Sequence, residues 1–345
     1  MGYTVIRPST HGEWLLERLK GLGSSDAGTV IGASPFSTPL RLWRQRMGID
    51  PPVGETQAMK NGHFLEPAVA AYFADATGAA ILEESEGDWL AVDDGCPWLR
   101  VAPDRLFYPE GVDHVPGNLC ILEIKSTSKP VDKANLPLYW VCQVQYQMGV
   151  MGVGMAAVAW VTGSPRLSMD HAWVRFNPGF YATLKGAVDR FWNENILKGV
   201  EPEAVGPGDA ALKYPVSRDR SFREATGEDL ANCRRYLELK AERERIDGEL
   251  LRVETAIKTS IRDAEAMTVT DWDTGDVRTV VRYRSANESR FDEAAFRTEH
   301  PEEYRRCLRT VFDRKELEQS DPQLYGMYTS VVKGARRFSV IQSAL

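Results

Sequence analysis

The sequence predicts an α/β fold, a mixed central sheet flanked by helices, followed by a helical and β-hairpin C-terminal extension. Three observations predict it. From residue 56 the patterns run helix, strands, helix, strands, helix, the order of a layered sheet covered by helices. Leu119–Ser126 alternates as a half-buried strand does, with two charges inside an apolar run. Beyond a Pro- and Gly-rich stretch (Pro202, Gly206, Pro207, Gly208, Pro215), a long helix and a hairpin signal appear. We therefore expect a core over residues 1–205 and an extension over 206–345, with 201–216 as linker or extended crossing segment.

Residues 11–48 read as short helices, with Trp14, Leu15, Leu19 and Leu22 at helical spacing. The run Gly21-Leu22-Gly23-Ser24-Ser25-Asp26 stops the first helix, and Ser25 and Asp26 start the next. A serine at a helix start with Arg18 nearby suits a phosphate, although capping is the commoner task. Thr56–Thr77 is a helix closed by Gly78, bent where Glu66 precedes Pro67, which places Glu66 either inward at the bend or on the surface.

Trp98–Tyr108 reads as a strand or hairpin arm interrupted by Pro103, joined through the loop of residues 109–118 to the strand at Leu119–Ser126. On that strand Ile121, Glu123 and Lys125 project one way, and Leu122 and Ile124 the other. Charges on an exposed edge strand would pair with each other, whereas burial demands partners because each ion costs several kcal/mol to desolvate. Asp104 and Glu123 on neighbouring antiparallel strands, with Lys125 two residues on, form an oxygen-rich site suited to Mg²⁺ or Mn²⁺.

Pro137 opens a helix to Gly149 on which Trp140, Gln143 and Gln147 share a face. Its glutamines are either a solvent face or amides that orient a ligand beside the carboxylates. Strands at Gly154–Val161 and His171–Phe176 follow, then a helix from Asn177-Pro178 to Leu197. Thr226 and Asp229 start the long helix to about Ala266, with apolar residues in approximate heptad spacing. A hairpin over Met267–Tyr283 turns at Asp273–Asp276. By strand parity Arg278, Arg282 and Arg284 share a face, and Lys333, Arg336 and Arg337 cluster near the end, as phosphate contacts or solvated surface.

Composition sets limits on this reading. The 345 residues carry 42 Lys and Arg against 49 Asp and Glu, so net charge announces no nucleic-acid partner and excludes none. Five scattered cysteines, none closely spaced, suit a reducing compartment and argue against zinc fingers and iron–sulfur clusters. No apolar run is long enough for a membrane span and no secretory leader is evident, so a cytoplasmic protein is expected.

The pieces together resemble the PD-(D/E)XK nuclease superfamily, and within it the lambda exonuclease and YqaJ-like phage recombinase family. Pro103-Asp104 with Glu123-Ile124-Lys125 matches the superfamily core. More specific is the order of Gly21–Asp26, then Gly62 with Glu66-Pro67, then Gln143-Val144-Gln145 after the lysine. The resemblance covers residues 11 to 200 and implies a restriction-endonuclease-like fold. It implies that Glu66, Asp104, Glu123 and the Ile124 carbonyl hold two Mg²⁺ or Mn²⁺ ions, that Lys125 orients or activates the attacking water, and that Gln143 assists. Arg18 and Ser25 match positions that hold the 5′-phosphate of a DNA end. The function implied is 5′ to 3′ degradation of linear duplex DNA for recombination with a single-strand annealing protein. A ring-shaped trimer, encoded by phage or prophage, goes with it. The alternatives are an endonuclease on the same core, an inactive DNA-binding module and a metal-stabilised structural protein.

Overall fold

Residues 2–51, 54, 56–83, 87–163, 167–285, 292–309 and 311–330 are described by the computed structural model. The chain separates into two units, Met1–Pro215 and Val216–Leu345.

In the first unit, β1 (Tyr3–Ile6) leads to three short helices, α1 (His11–Leu19), α2 (Ser24–Val30) and α3 (Pro39–Arg46). The longer α4 (Gln57–Thr77) follows. Thr10, Thr38 and Thr56 cap α1, α3 and α4 by accepting from main-chain N–H groups that the first turn leaves unpaired. Helix α2 begins one residue before the expected serine. Its cap is Gly23, whose N–H is taken by the Asp26 carboxylate at 2.8 Å. The helix α4 runs through Pro67 and closes on Gly78 at φ +67°, a left-handed position that favours glycine.

The strands β2 (Ala80–Ile81), β3 (Leu90–Asp93), β4 (Arg100–Val101), β5 (Arg105–Tyr108) and β6 (Cys120–Thr127) precede helix α5 (Leu138–Met151). Then come β7 (Met155–Thr162), β8 (Ser168–Arg175) and α6 (Pro178–Arg190), which continues as a wider helical turn over Phe191–Leu197. Two sheets form, β1-β3-β4 and the mixed five-stranded β2-β5-β6-β7-β8. In the larger sheet β6 and β7 run parallel and the other neighbours antiparallel, with Leu122 opposite Arg105 and Glu123 opposite Val158.

Strand alternation divides the core. Ile121, Ala156, Val158 and Trp160 join Trp140, Val144 and Met148 of α5 in one buried cluster. Leu122, Ala157 and Ala159 join Val69 and Phe73 of α4 in the other. Each large side chain so buried stabilises by roughly 1.5–3 kcal/mol, which is what holds a strand carrying two charges inside the sheet. The stretch expected as a linker contains a short helix, α7 (Pro207–Lys213), tied to the core by Thr38 Oγ1 donating to the buried Asp209 at 2.7 Å.

The second unit holds the 35-residue α8 (Gly227–Ile261), capped reciprocally by Thr226 and Asp229 and ending at Ile261 rather than near Ala266. The hairpin β9 (Ala266–Thr270) and β10 (Val277–Arg282) has an irregular register between Thr279 and Val281. That bulge removes the shared face expected for Arg278 and Arg282, because one extra residue inverts the alternation beyond it. Among the described residues of this unit, four short helices follow: α9 (Glu293–Glu299), α10 (Pro301–Cys307), α11 (Arg314–Ser320) and α12 (Pro322–Met327). Lys333, Arg336 and Arg337 lie outside the described residues.

Candidate active site

Glu123 is the centre of the site because the β6 alternation turns it toward α5, where it is 2% exposed. Its oxygens are fully engaged. Lys125 Nζ donates to Oε1 at 2.5 Å, Gln143 Nε2 to the same oxygen at 2.6 Å, and Gln147 Nε2 to Oε2 at 2.7 Å. Lys125 also donates to Gln143 Oε1 at 2.9 Å, closing a three-residue ring. Such charge-assisted bonds offset the cost of taking the carboxylate out of water.

Asp104 stands just before β5, and its Oδ2 accepts the main-chain N–H of Ile124 at 2.6 Å. Burial, then the negative charges of Glu123 and Glu66, hold the Asp104 carboxyl well above the usual carboxylate range, against Lys125 and the Ile124 N–H. Burial pulls Lys125 down, but the Glu123 and Asp104 carboxylates outweigh it and raise the ammonium above its ordinary value. Lys125 is therefore a fixed positive charge.

A cavity of about 380 Å³ opens over these groups. Glu66, Asp104, Glu123, Ile124, Lys125 and Gln143 line it, together with Arg18, Ser24 and Ser25. All the residues expected from the sequence thus border one space. Glu66 faces it from α4, but its Oε1 is taken by Arg105 Nη1 at 2.5 Å, and the same nitrogen reaches the Asp104 carbonyl at 2.6 Å. In agreement with that pairing, the described residues contain no group of three His, Cys, Asp or Glu side chains gathered as a metal centre. The expected set of Glu66, Asp104 and Glu123 is divided, two carboxylates together and the third held by an arginine.

Arg18 lies with its guanidinium carbon 4.6 Å from the Trp14 ring centroid and makes no ion pair among the described residues. Asp26, whose charge acts on Arg18, is taken by Arg46 Nη2 at 2.5 Å. An arginine without a carboxylate partner beside a helix start keeps its charge available to an anion. Ser25 is exposed there, while Ser24 is buried.

The α5 glutamines are not a solvent face. Gln145 is 3% exposed and ties Arg175 O and Asn177 N, and Gln147 is fully buried. Trp140 belongs to the core and not to the cavity. Gln147 was on the face read as either solvent or ligand-orienting, its signal being its place one turn after Gln143. Arg105 and Arg46 escaped the sequence reading as site residues, because their partners lie on other elements.

Residues 13–155 match the family model described as the YqaJ-like viral recombinase domain. This stretch is similar to that family. The matched stretch runs from α1 into β7 and contains Arg18, Ser25, Glu66, Asp104, Glu123, Lys125 and Gln143. A curated relative, the uncharacterized protein YqaJ of Bacillus subtilis (strain 168), is 27% identical over 266 residues, covering 73% of this chain and 79% of its own. Among solved structures, the alkaline exonuclease LHK-Exo from Laribacter hongkongensis is similar at 18% identity and a TM-score of 0.43. The likeness covers 53% of this chain and 91% of that one. A phage related exonuclease from Haemophilus somnus 129PT is similar at 12% identity and a TM-score of 0.35, over 52% and 96% of the two chains. No helix among the described residues is long and apolar enough to cross a membrane.

Proposed function

We propose that this protein is a metal-dependent deoxyribonuclease that degrades one strand of linear duplex DNA from its 5′ end, in homologous recombination by single-strand annealing. The observation that carries the reading is Glu123, buried and oriented by Lys125, Gln143 and Gln147, beside Asp104 in a cavity also lined by Arg18 and the start of α2. The match of residues 13–155 to a viral recombinase domain supports it.

The donor set fits a hard divalent cation. Burial first, and then the neighbouring Glu123 charge, raise the Asp104 carboxyl, and a cation bound between the two carboxylates would relieve their mutual repulsion. Mg²⁺ or Mn²⁺ would be held by Asp104, Glu123 and the Ile124 carbonyl, with Glu66 joining for a second ion once it leaves Arg105. Bound there, such ions supply an activated water and neutralise charge on the phosphate. Lys125 places its positive charge where the transition state gains negative charge, and Gln143 fixes the direction of the ammonium. Arg18, with Ser25 and the α2 N–H groups, takes the 5′-phosphate and sets which bond faces Glu123.

The same resemblance leads us to propose a ring-shaped trimer, a single-strand annealing partner and action in the cytoplasm of a bacterial host, from a phage or prophage gene.

The test is digestion of 5′-phosphorylated linear duplex and closed circular duplex, with Mg²⁺ or EDTA, by wild type and Glu123→Ala. End-labelling each strand reads the polarity. Metal-dependent loss of the 5′ label from linear DNA alone, absent in the variant, is expected. Cutting of circles makes the protein an endonuclease, and no cutting at all overturns the nuclease reading.

A further inference from the structure

Gln147 is fully buried, and its Oε1 has no hydrogen-bond partner. A buried amide oxygen left without a partner opposes folding, so packing does not explain why a glutamine stands there. Its Nε2 explains it better. That nitrogen donates to Glu123 Oε2 at 2.7 Å and lies 3.3 Å from Ser24 Oγ, which accepts from it. Lys125 and Gln143 both hold the other oxygen, Oε1, so Gln147 is the side chain that stops the carboxylate turning about its last bond.

Gln147 is itself anchored from outside the sheet. Ser24 follows the loop Gly21–Gly23, where Leu22 N donates to Trp98 O at 2.7 Å and Arg100 N to Leu22 O at 3.2 Å. A Cβ on Gly21 would fall 2.3 Å from the Trp98 carbonyl oxygen, so this close approach requires glycine. Tyr146, the neighbour of Gln147 on α5, donates from its hydroxyl to Leu22 O at 3.2 Å. One turn of α5 thus grips the loop that starts α2 and the carboxylate of β6 together.

We propose that Gln147 is a positioning residue for Glu123, with Ser24 as its anchor, and that it sets the affinity of the site for a divalent cation. The cation rests on the nuclease reading above; the orientation of Glu123 does not.

The experiment uses the full chain as wild type, Gln147→Met, Ser24→Ala and the double variant. Thermal unfolding is followed across a Mg²⁺ titration without DNA, and hydrolysis of linear duplex across the same titration. For Gln147→Met the Mg²⁺ midpoint should rise about tenfold and hydrolysis should fall about 10- to 100-fold, as for other groups that orient a metal ligand, with KM for DNA unchanged. Ser24→Ala should move the midpoint in the same direction by less. The double variant should match Gln147→Met, because both act through one bond. A metal-free crystal structure of Gln147→Met should show the Glu123 carboxylate rotated. Wild-type Mg²⁺ midpoints in both single variants, or an unmoved Glu123, overturn the inference while leaving the nuclease reading intact. Should wild type cleave nothing, the nuclease reading fails, and the midpoints and the Glu123 orientation still decide this one. Should Gln147→Met fail to fold, the Ser24→Ala midpoint decides it.

Discussion

The Asp104 carboxylate accepts the main-chain N–H of Ile124 at 2.6 Å, across the β5–β6 pair, so the first acidic residue is fixed to the backbone between Glu123 and Lys125. This contact fixes where Asp104 sits and leaves its charge beside that of Glu123.

Removing that charge should stabilise the metal-free protein. The Asp104 carboxyl is raised in the fold by burial and by its acidic neighbours. Its contribution is therefore favourable below the unfolded pKa and is lost as pH rises through the folded one. Ionising this side chain in the fold is a cost, and Asp104→Asn keeps an oxygen for the Ile124 N–H. We expect Tm at pH 7 in EDTA to rise by about 2–4 °C, the shift that about 1 kcal/mol gives a domain of this size. Stabilisation by Mg²⁺ should disappear. A lower Tm in EDTA, by calorimetry, contradicts the assignment.

Lys125→Ala should lower hydrolysis by about 10²–10³-fold, the usual cost of one transition-state donor, while duplex binding in Ca²⁺ stays within about twofold of wild type. Gel shift and single-turnover rates measured side by side separate the two. Undiminished cleavage would remove Lys125 from the mechanism.

Arg105 holds Glu66 in a pair whose side chains are 10% and 25% exposed. Arg105→Met should cost about 2 kcal/mol in urea unfolding without metal, less than a fully buried pair because water reaches Glu66. With its partner gone, Glu66 should also turn to the cavity and tighten Mg²⁺ binding. Weaker Mg²⁺ binding in calorimetric titration would show that the arginine supports the site instead of competing for it.

Arg18→Ala should abolish the preference for a 5′-phosphate over a 5′-hydroxyl end. A charged hydrogen bond of about 1.5–3 kcal/mol corresponds to roughly 10- to 100-fold in initial rate. A preference that persists in the variant places the end-binding cation elsewhere.

The carboxylate pair and the lysine were legible in the sequence because they obey local rules: alternation along β6 and an antiparallel neighbour across a loop. Ile121 with Glu123 and Lys125, against Leu122 with Ile124, is the division the two core clusters show. Arg105 and Arg46 were not legible, since their partners stand 39 and 20 residues away on separate helices. Whether Gln145 and Gln147 faced solvent or the carboxylates stayed open, because composition says nothing of what a helix packs against. Helix α7 hid inside a Pro- and Gly-rich stretch, although Pro207 at a first turn is a helix start. The bulge in β10 was invisible because it adds a residue without changing the residue types.

The parallel pairing of β6 with β7 obliges the chain to cross the sheet between them, and α5 is that crossing. Gln143 and Gln147 reach Glu123 from only 20 and 24 residues away, and Lys125 reaches Gln143 from 18. The centre of the site is therefore of low contact order and closes with a single β-α-β unit. Ser24, 123 residues from Gln147, joins only when distant parts of the chain have met. The clasp around Glu123 is thus local in sequence, and its lock is not.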